Sequence, residues 1–242
     1  MTAQILPLSR VPLSEALYVQ LKDQILSGAL RPGERLPSER TLSEGSGANR
    51  NAVREAIKRL QQAGLVAVRQ GGNHEVLDYR REAGPELLPS LMVDAQGRYR
   101  PKVLQDLMAM RSVLAPEIAA GAAVAGAASV AARLADIVQA MRVAAGRAAT
   151  LQTLALEFWQ VLVDACGNTA FQLSFNAMRK TYVKAWDRLT APLAEEFADL
   201  ANFQAMARAV AARDAQAARR AAARHVRIGQ LALDGGTPST KG

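Results

Sequence analysis

At 242 residues, with 50% hydrophobic and 21% charged side chains, the chain can hold a small domain beside a larger one, each with its own core. The net charge of +8 suits a polyanionic partner, but residues 1–81 carry 12 Lys/Arg against 8 Asp/Glu, half of the excess, so bulk charge does not locate a binding surface. A single cysteine, Cys166, excludes an internal disulfide and reads as a small apolar residue, while two histidines, His74 and His225, leave no zinc-spaced cluster and few candidates for histidine-based catalysis.

The first helix is written by Leu17, Leu21, Ile25 and Leu26, an apolar stripe at helical spacing, with Gly28 placed to terminate it in a left-handed conformation. The chain turns at Pro32-Gly33. Ser38 then precedes a helical run containing Leu42 and is expected to cap it, with Glu39 favouring the positive helix end. Gly45 and Gly47 are expected to break that helix and allow a tight turn.

The next helix carries two faces. Val53, Ala56, Ile57 and Leu60 recur at helical spacing and predict a small core, while Arg50, Asn51, Arg54 and Lys58 fall on an adjoining arc. A helix fits the DNA major groove, where Arg presents two donors to guanine and Asn can both donate to and accept from adenine. Beyond Gly64, residues 65–69 read as a strand, 70–73 as a turn and 74–77 as the returning strand, a wing whose tip at Gly71-Gly72 could approach a sugar-phosphate chain closely. An ordinary glycine hairpin is the alternative.

This ordered series resembles the GntR family of bacterial transcription regulators over residues 13–78: Ile25 with Ser27-Gly28, Pro32-Gly33, Leu36-Pro37-Ser38-Glu39-Arg40, Arg50 with Val53-Arg54-Glu55-Ala56, and Gly64-Leu65. The resemblance implies a winged helix-turn-helix in residues 1–78, with Ser38, Arg40, Asn49, Arg50, Asn51, Arg54 and Gly71 as DNA-binding candidates. Ser38 and Arg40 are assigned to phosphate, and Arg50 and Arg54 to base readout.

Residues 79–100 contain the breakers Gly84-Pro85, Pro89 and Gly97 and read as a linker with one helical turn between Leu87 and Val93. Helical segments are predicted over 102–124, 128–146, 150–166, 168–190, 194–212 and 214–233, rich in alanine, and therefore a compact antiparallel bundle over 101–233 followed by a disordered tail, 234–242. Phe171, Phe175, Met178, Tyr182 and Leu189 form a stripe, with Trp186 beside it, that reads as core or as pocket wall. The arginines of the last two helices, from Arg208 to Arg227, read as a solvated face. The fold class is mostly α, with a small β wing.

The bundle also resembles the ligand-sensing (FCD-type) domain of the FadR subfamily, through Leu104 to Leu114, Ala119-Ala120 with Ala122-Ala123, Cys166-Gly167-Asn168, and Ala209 to Asp214 running on to His225. Many members hold a divalent metal on one Asp and three His. Matching the motifs places Ala155, Trp159 and Phe203 at the first three ligand positions and His225 at the last, and since neither Ala, Trp nor Phe can donate to a metal, the resemblance implies that the metal site is lost. Trp159 and Phe203 then either fill the old cavity or line an apolar effector pocket, in which Arg111 and His225 are candidates to pair with an acidic group.

The resemblance implies a homodimer on an inverted-repeat operator in double-stranded DNA, a repressor governed by a small, acid-like organic effector. Dimerisation rests on the family alone, for no heptad seam is visible. The alternative is an enzyme or metabolite-binding protein with a DNA-targeting module. Against an enzyme stand the absence of a Gly-rich phosphate loop, paired metal ligands, a nucleophile elbow or a lysine in a cofactor context, and a chain too short for a fused aminotransferase fold. No stretch of about twenty uncharged apolar residues appears, and the start, Met1-Thr2-Ala3-Gln4, lacks a signal segment, so the chain reads as cytoplasmic with no membrane partner.

Overall fold

The computed structural model describes residues 12–69, 73–93 and 98–235. The chain divides into two compact units, Met1–Leu87 with Val93–Arg98, and Leu88–Met92 with Tyr99–Gly242. The segment expected as a linker is thus shared between them.

In the first unit, α1 (Leu13–Ser27), α2 (Glu39–Ser46) and α3 (Arg50–Gln62) are followed by β1 (Val66–Val68), β2 (His74–Val76) and the short α4 (Tyr79–Glu82). Leu17, Leu21, Ile25 and Leu26 of α1 are buried with Val53, Ala56, Ile57 and Leu60 of α3, as their spacing predicts. Burying each such side chain contributes roughly 1.5–3 kcal/mol, enough for a few to define a small core. Gly28 ends α1 at φ 83°.

Gly64, at φ 67°, admits only glycine on two counts: the left-handed backbone, and a Cβ that would stand 2.9 Å from the Cα of Ala83. β1 and β2 pair antiparallel, with Val66 opposite Val76 and Val68 opposite His74. Residues 33–36 lie along the other edge of β2, where Leu36 N–H donates to His74 O and Val76 N–H to Glu34 O, both at 2.8 Å. The strands are shorter than the periodicity suggests.

The second unit opens with α5 (Leu88–Leu91), packed on α9 (Thr169–Lys184). Its centre is α6 (Pro101–Ala125), surrounded by α8 (Ala148–Cys166), α12 (Leu200–Ala211) and α13 (Ala215–Gly235), with α7 (Ala128–Val143) outside α8 and α12. By length and composition alone α6 could cross a membrane, but Ile118, Ala119, Ala122 and Ala123 are buried within the bundle. Ala218, Ala221 and Ala222 of α13 are equally buried, so the backbones meet across small side chains. At Gly121 a Cβ would stand 2.6 Å from the Sγ of half-buried Cys166.

Two helices expected to be continuous are interrupted. The 168–190 segment divides at Ala185 into α9 and α10 (Trp186–Thr190), and the 194–212 segment divides into α11 (Ala194–Phe197) and α12. At the second break Asp199 caps α12, accepting from Asn202 N–H at 3.3 Å. The last helix, α13, runs two residues past the expected end, and the remaining tail, 236–242, lies outside the described residues.

Candidate functional sites

The helix-turn-helix is built by two caps and a glycine. Ser38 Oγ accepts from Thr41 N–H at 3.1 Å, and Asn49 Oδ1 accepts from Ala52 N–H at 2.9 Å. Each cap is worth about 1 kcal/mol and fixes where a helix begins. Between them Gly47, at φ 68°, ends α2, and Ser43 Oγ donates to Ala48 O at 2.6 Å to hold the turn. Gly45, expected to share in breaking α2, lies inside it; only Gly47 takes the left-handed conformation.

This turn sets the presentation of α3. Val53, Ala56, Ile57 and Leu60 face the core, and Arg50, Asn51, Arg54 and Lys58 are exposed. Arg50 makes no ion pair among the described residues. Arg54 Nε lies 3.0 Å from Glu39 Oε2, and Arg40 reaches Glu44 at 3.6 Å. At these exposures the pairs contribute little to stability, and the Glu39 contact chiefly orients Arg54. Of the seven DNA-binding candidates, Ser38 and Asn49 thus have helix-capping roles, Arg40, Arg50, Asn51 and Arg54 stand exposed on α2 and α3, and Gly71 lies outside the described residues. Sequence reasoning passed over Glu39 as a partner of Arg54, since nothing local announces a contact fifteen residues away.

In the second unit a cavity of about 100 Å³ lies among α6, α8, α9, α10 and α11, with Met92, just past α5, also on its wall. Leu104, Leu107, Leu156, Phe175 and Met178 are among its apolar walls, with Tyr182 and Leu189. Four members of the aromatic stripe therefore line a hole in the core. Arg111, Trp159 and Glu196 stand on the cavity wall, backed by His225, which is fully buried.

The four residues singled out as effector candidates come together. Phe203 and Trp159 flank the His225 ring at centroid distances of 4.3 Å and 6.0 Å, and the Arg111 guanidinium sits 5.9 Å from the Trp159 ring. Phe203 is fully buried against Phe158, centroids 4.9 Å apart, and fills space; it is absent from the cavity wall, whereas Trp159 is on it.

What sequence reasoning missed is the counter-charge. Both terminal guanidinium nitrogens of Arg111 donate to the Glu196 carboxylate, Nη1 to Oε2 at 2.9 Å and Nη2 to Oε1. His225 Nδ1 lies 3.0 Å from Asp199 Oδ2, and Nε2 lies 3.4 Å from Glu196 Oε1, an ion-pair distance without an aligned hydrogen bond. Burial alone would raise the Glu196 carboxyl, but the Arg111 and His225 contacts outweigh it and hold it at about 2. Burial would likewise lower the His225 imidazole, yet its contacts with Asp199 and Glu196 raise it above its ordinary value. Gly229 completes the arrangement, because a Cβ there would overlap the Glu196 carboxylate.

Comparison with known proteins adds the lineage. The model of "Bacterial regulatory proteins, gntR family" matches residues 13–76, and that of the FCD domain matches residues 106–228. The transcriptional regulator Mce2R of Mycobacterium tuberculosis (strain CDC 1551 / Oshkosh) is 35% identical over 216 residues, covering 89% of each chain. The chain belongs to the GntR family. The Glc operon transcriptional activator of Escherichia coli K12 is 32% identical over 117 residues, 48% of this chain and 44% of that protein. Among solved structures, Lar of Listeria monocytogenes shares the fold with a TM-score of 0.58 at 16% identity, over 95% of this chain and all of that one.

As a GntR regulator with an FCD domain, this protein is a transcription factor, not an enzyme, and its family binds DNA and small-molecule effectors. A resident metal, which the FCD family implies, does not fit the side chains present. Ala155, Trp159 and Phe203 offer no lone pair at the aligned positions, His225 has each ring nitrogen turned to a carboxylate, and among the described residues no cluster of three His, Cys, Asp or Glu side chains is arranged to hold an ion.

Proposed function

We propose that this GntR regulator is a cytoplasmic repressor that binds an inverted-repeat operator as a homodimer and is released or retained by a small organic effector in the cavity of its FCD domain. The observation that carries the DNA-binding half is α3, whose aliphatic face is buried while Arg50, Asn51 and Arg54 stand exposed together. Two such helices related by a two-fold axis would read half-sites of matching symmetry. Effector and operator would be coupled through a free energy of about 1–3 kcal/mol, typical of such switches.

The apolar cavity supports an organic effector bound without a metal. The acidic character expected from Arg111 and His225 loses its support, because Glu196 already pairs with Arg111 and Asp199 with His225. Nuclease footprinting of the full chain on the DNA flanking its own gene tests the proposal. Protection of one palindromic segment with two-fold symmetric edges is expected, and protection independent of sequence would overturn it.

A further inference from the structure

We infer that the FCD cavity takes an uncharged, largely apolar molecule bearing one hydrogen-bond acceptor, received by the indole N–H of Trp159. The inference rests on the reading of this cavity as the effector site and adds the chemical class of the ligand.

Charge balance is the first support. Arg111 is the less exposed of the two cations on the cavity wall among the described residues, and Glu196 takes both arms of its guanidinium. His225 behind the wall faces a carboxylate at each ring nitrogen, so with the imidazole in either protonation state the two carboxylates leave no surplus positive charge. An entering carboxylate would have to break a bidentate pair and leave Glu196 buried beside Gly229 with only His225 facing it, a loss that buried carboxylates make costly. Arg179 also borders the cavity, but it is exposed, and water screens what it could offer an anion.

Hydrogen-bonding capacity is the second. Gln152 is committed: its Nε2 donates to Tyr182 Oη at 2.7 Å and to Trp186 O at 3.1 Å, and its Oε1 accepts from Thr190. Trp159 is not. Its indole is 6% exposed, and Nε1–H has no acceptor among the described residues. A buried N–H left without a partner is destabilising, so a ligand that supplies a carbonyl or ether oxygen gains what the site otherwise lacks. Because the Tyr182 oxygen accepts from Gln152, the uncommitted polar hydrogen there is also a donor. The wall asks for an acceptor and offers no surplus charge.

Three probes of similar size separate the possibilities: acetophenone, with a carbonyl and no charge; ethylbenzene, with neither; and benzoate, with a charge. The protein holds two tryptophans, so the ¹⁵N-indole spectrum of the full chain has two resonances, and Trp186→Phe identifies that of Trp159. Acetophenone is expected to bind about tenfold tighter than benzoate and to move the Trp159 N–H signal downfield, whereas ethylbenzene binds without that shift. In Trp159→Phe, acetophenone should fall to the affinity of ethylbenzene. Tighter binding of benzoate, with its loss in Arg179→Gln, would overturn the uncharged class while leaving the effector cavity in place. Acetophenone binding without the indole shift would overturn the acceptor assignment. Failure of all three probes to bind would remove the cavity reading itself.

Discussion

Removing the Glu196 carboxylate leaves half-buried Arg111 without its bidentate partner and takes from buried His225 one of the two carboxylates it faces. Breaking a buried ion pair from one side typically costs about 3–5 kcal/mol, well above the loss at an exposed pair. Glu196→Ala is therefore expected to destabilise the FCD domain by about that much, measured by urea unfolding followed through Trp159 and Trp186, both of which lie in it. A loss below about 1 kcal/mol would show that the pair is solvated rather than buried. At this scale the DNA candidates were legible because residue type and helical spacing fall together at Arg50, Asn51 and Arg54. Glu196 and Asp199 were not, because their meaning lies in which distant side chain meets them: Arg111 stands 85 positions from Glu196, and no local pattern encodes that approach.

The breaks between α9 and α10 and between α11 and α12 decide how the site is assembled. Apolar periodicity continues through both, so the sequence reads as unbroken helix, yet tertiary contacts win: Trp186 O accepts from Gln152, and Asp199 turns to cap α12 while meeting His225 on α13. Carboxylates on α11 and at the start of α12 are thereby tied to a histidine on α13. The coupling has a pH signature. The His225 imidazole is raised on folding, so its contribution is complete below the ordinary histidine value of 6.5 and is lost as pH climbs through the higher folded value. Glu196 is depressed from 4.5 to about 2, so its contribution is complete above 4.5 and fades as pH falls toward 2. The Glu196 shift alone corresponds to about 3 kcal/mol. Stability should thus be highest between about 4.5 and 6.5, and His225→Gln should flatten the alkaline limb in thermal unfolding scans. A decline of equal steepness in the variant would place the titration elsewhere.

Across the whole molecule, the two units differ in how far the sequence discloses them. The winged unit depends on local devices, the caps at Ser38 and Asn49, the left-handed Gly47 and Gly64, and one amphipathic helix, each of which is written within a few residues. The FCD unit depends on alanine-lined contacts between helices far apart in sequence, so its helices were legible and its interior was not. The claim that joins them to gene control is that the exposed arc of α3 reads DNA. Fluorescence anisotropy with a duplex carrying the protected palindrome tests it directly, comparing the parent chain with Arg50→Ala and Arg54→Ala at fixed salt. Each variant should bind that duplex about 1–3 kcal/mol more weakly while binding a scrambled duplex nearly as the parent does. Parental affinity for the palindrome in both variants would contradict it.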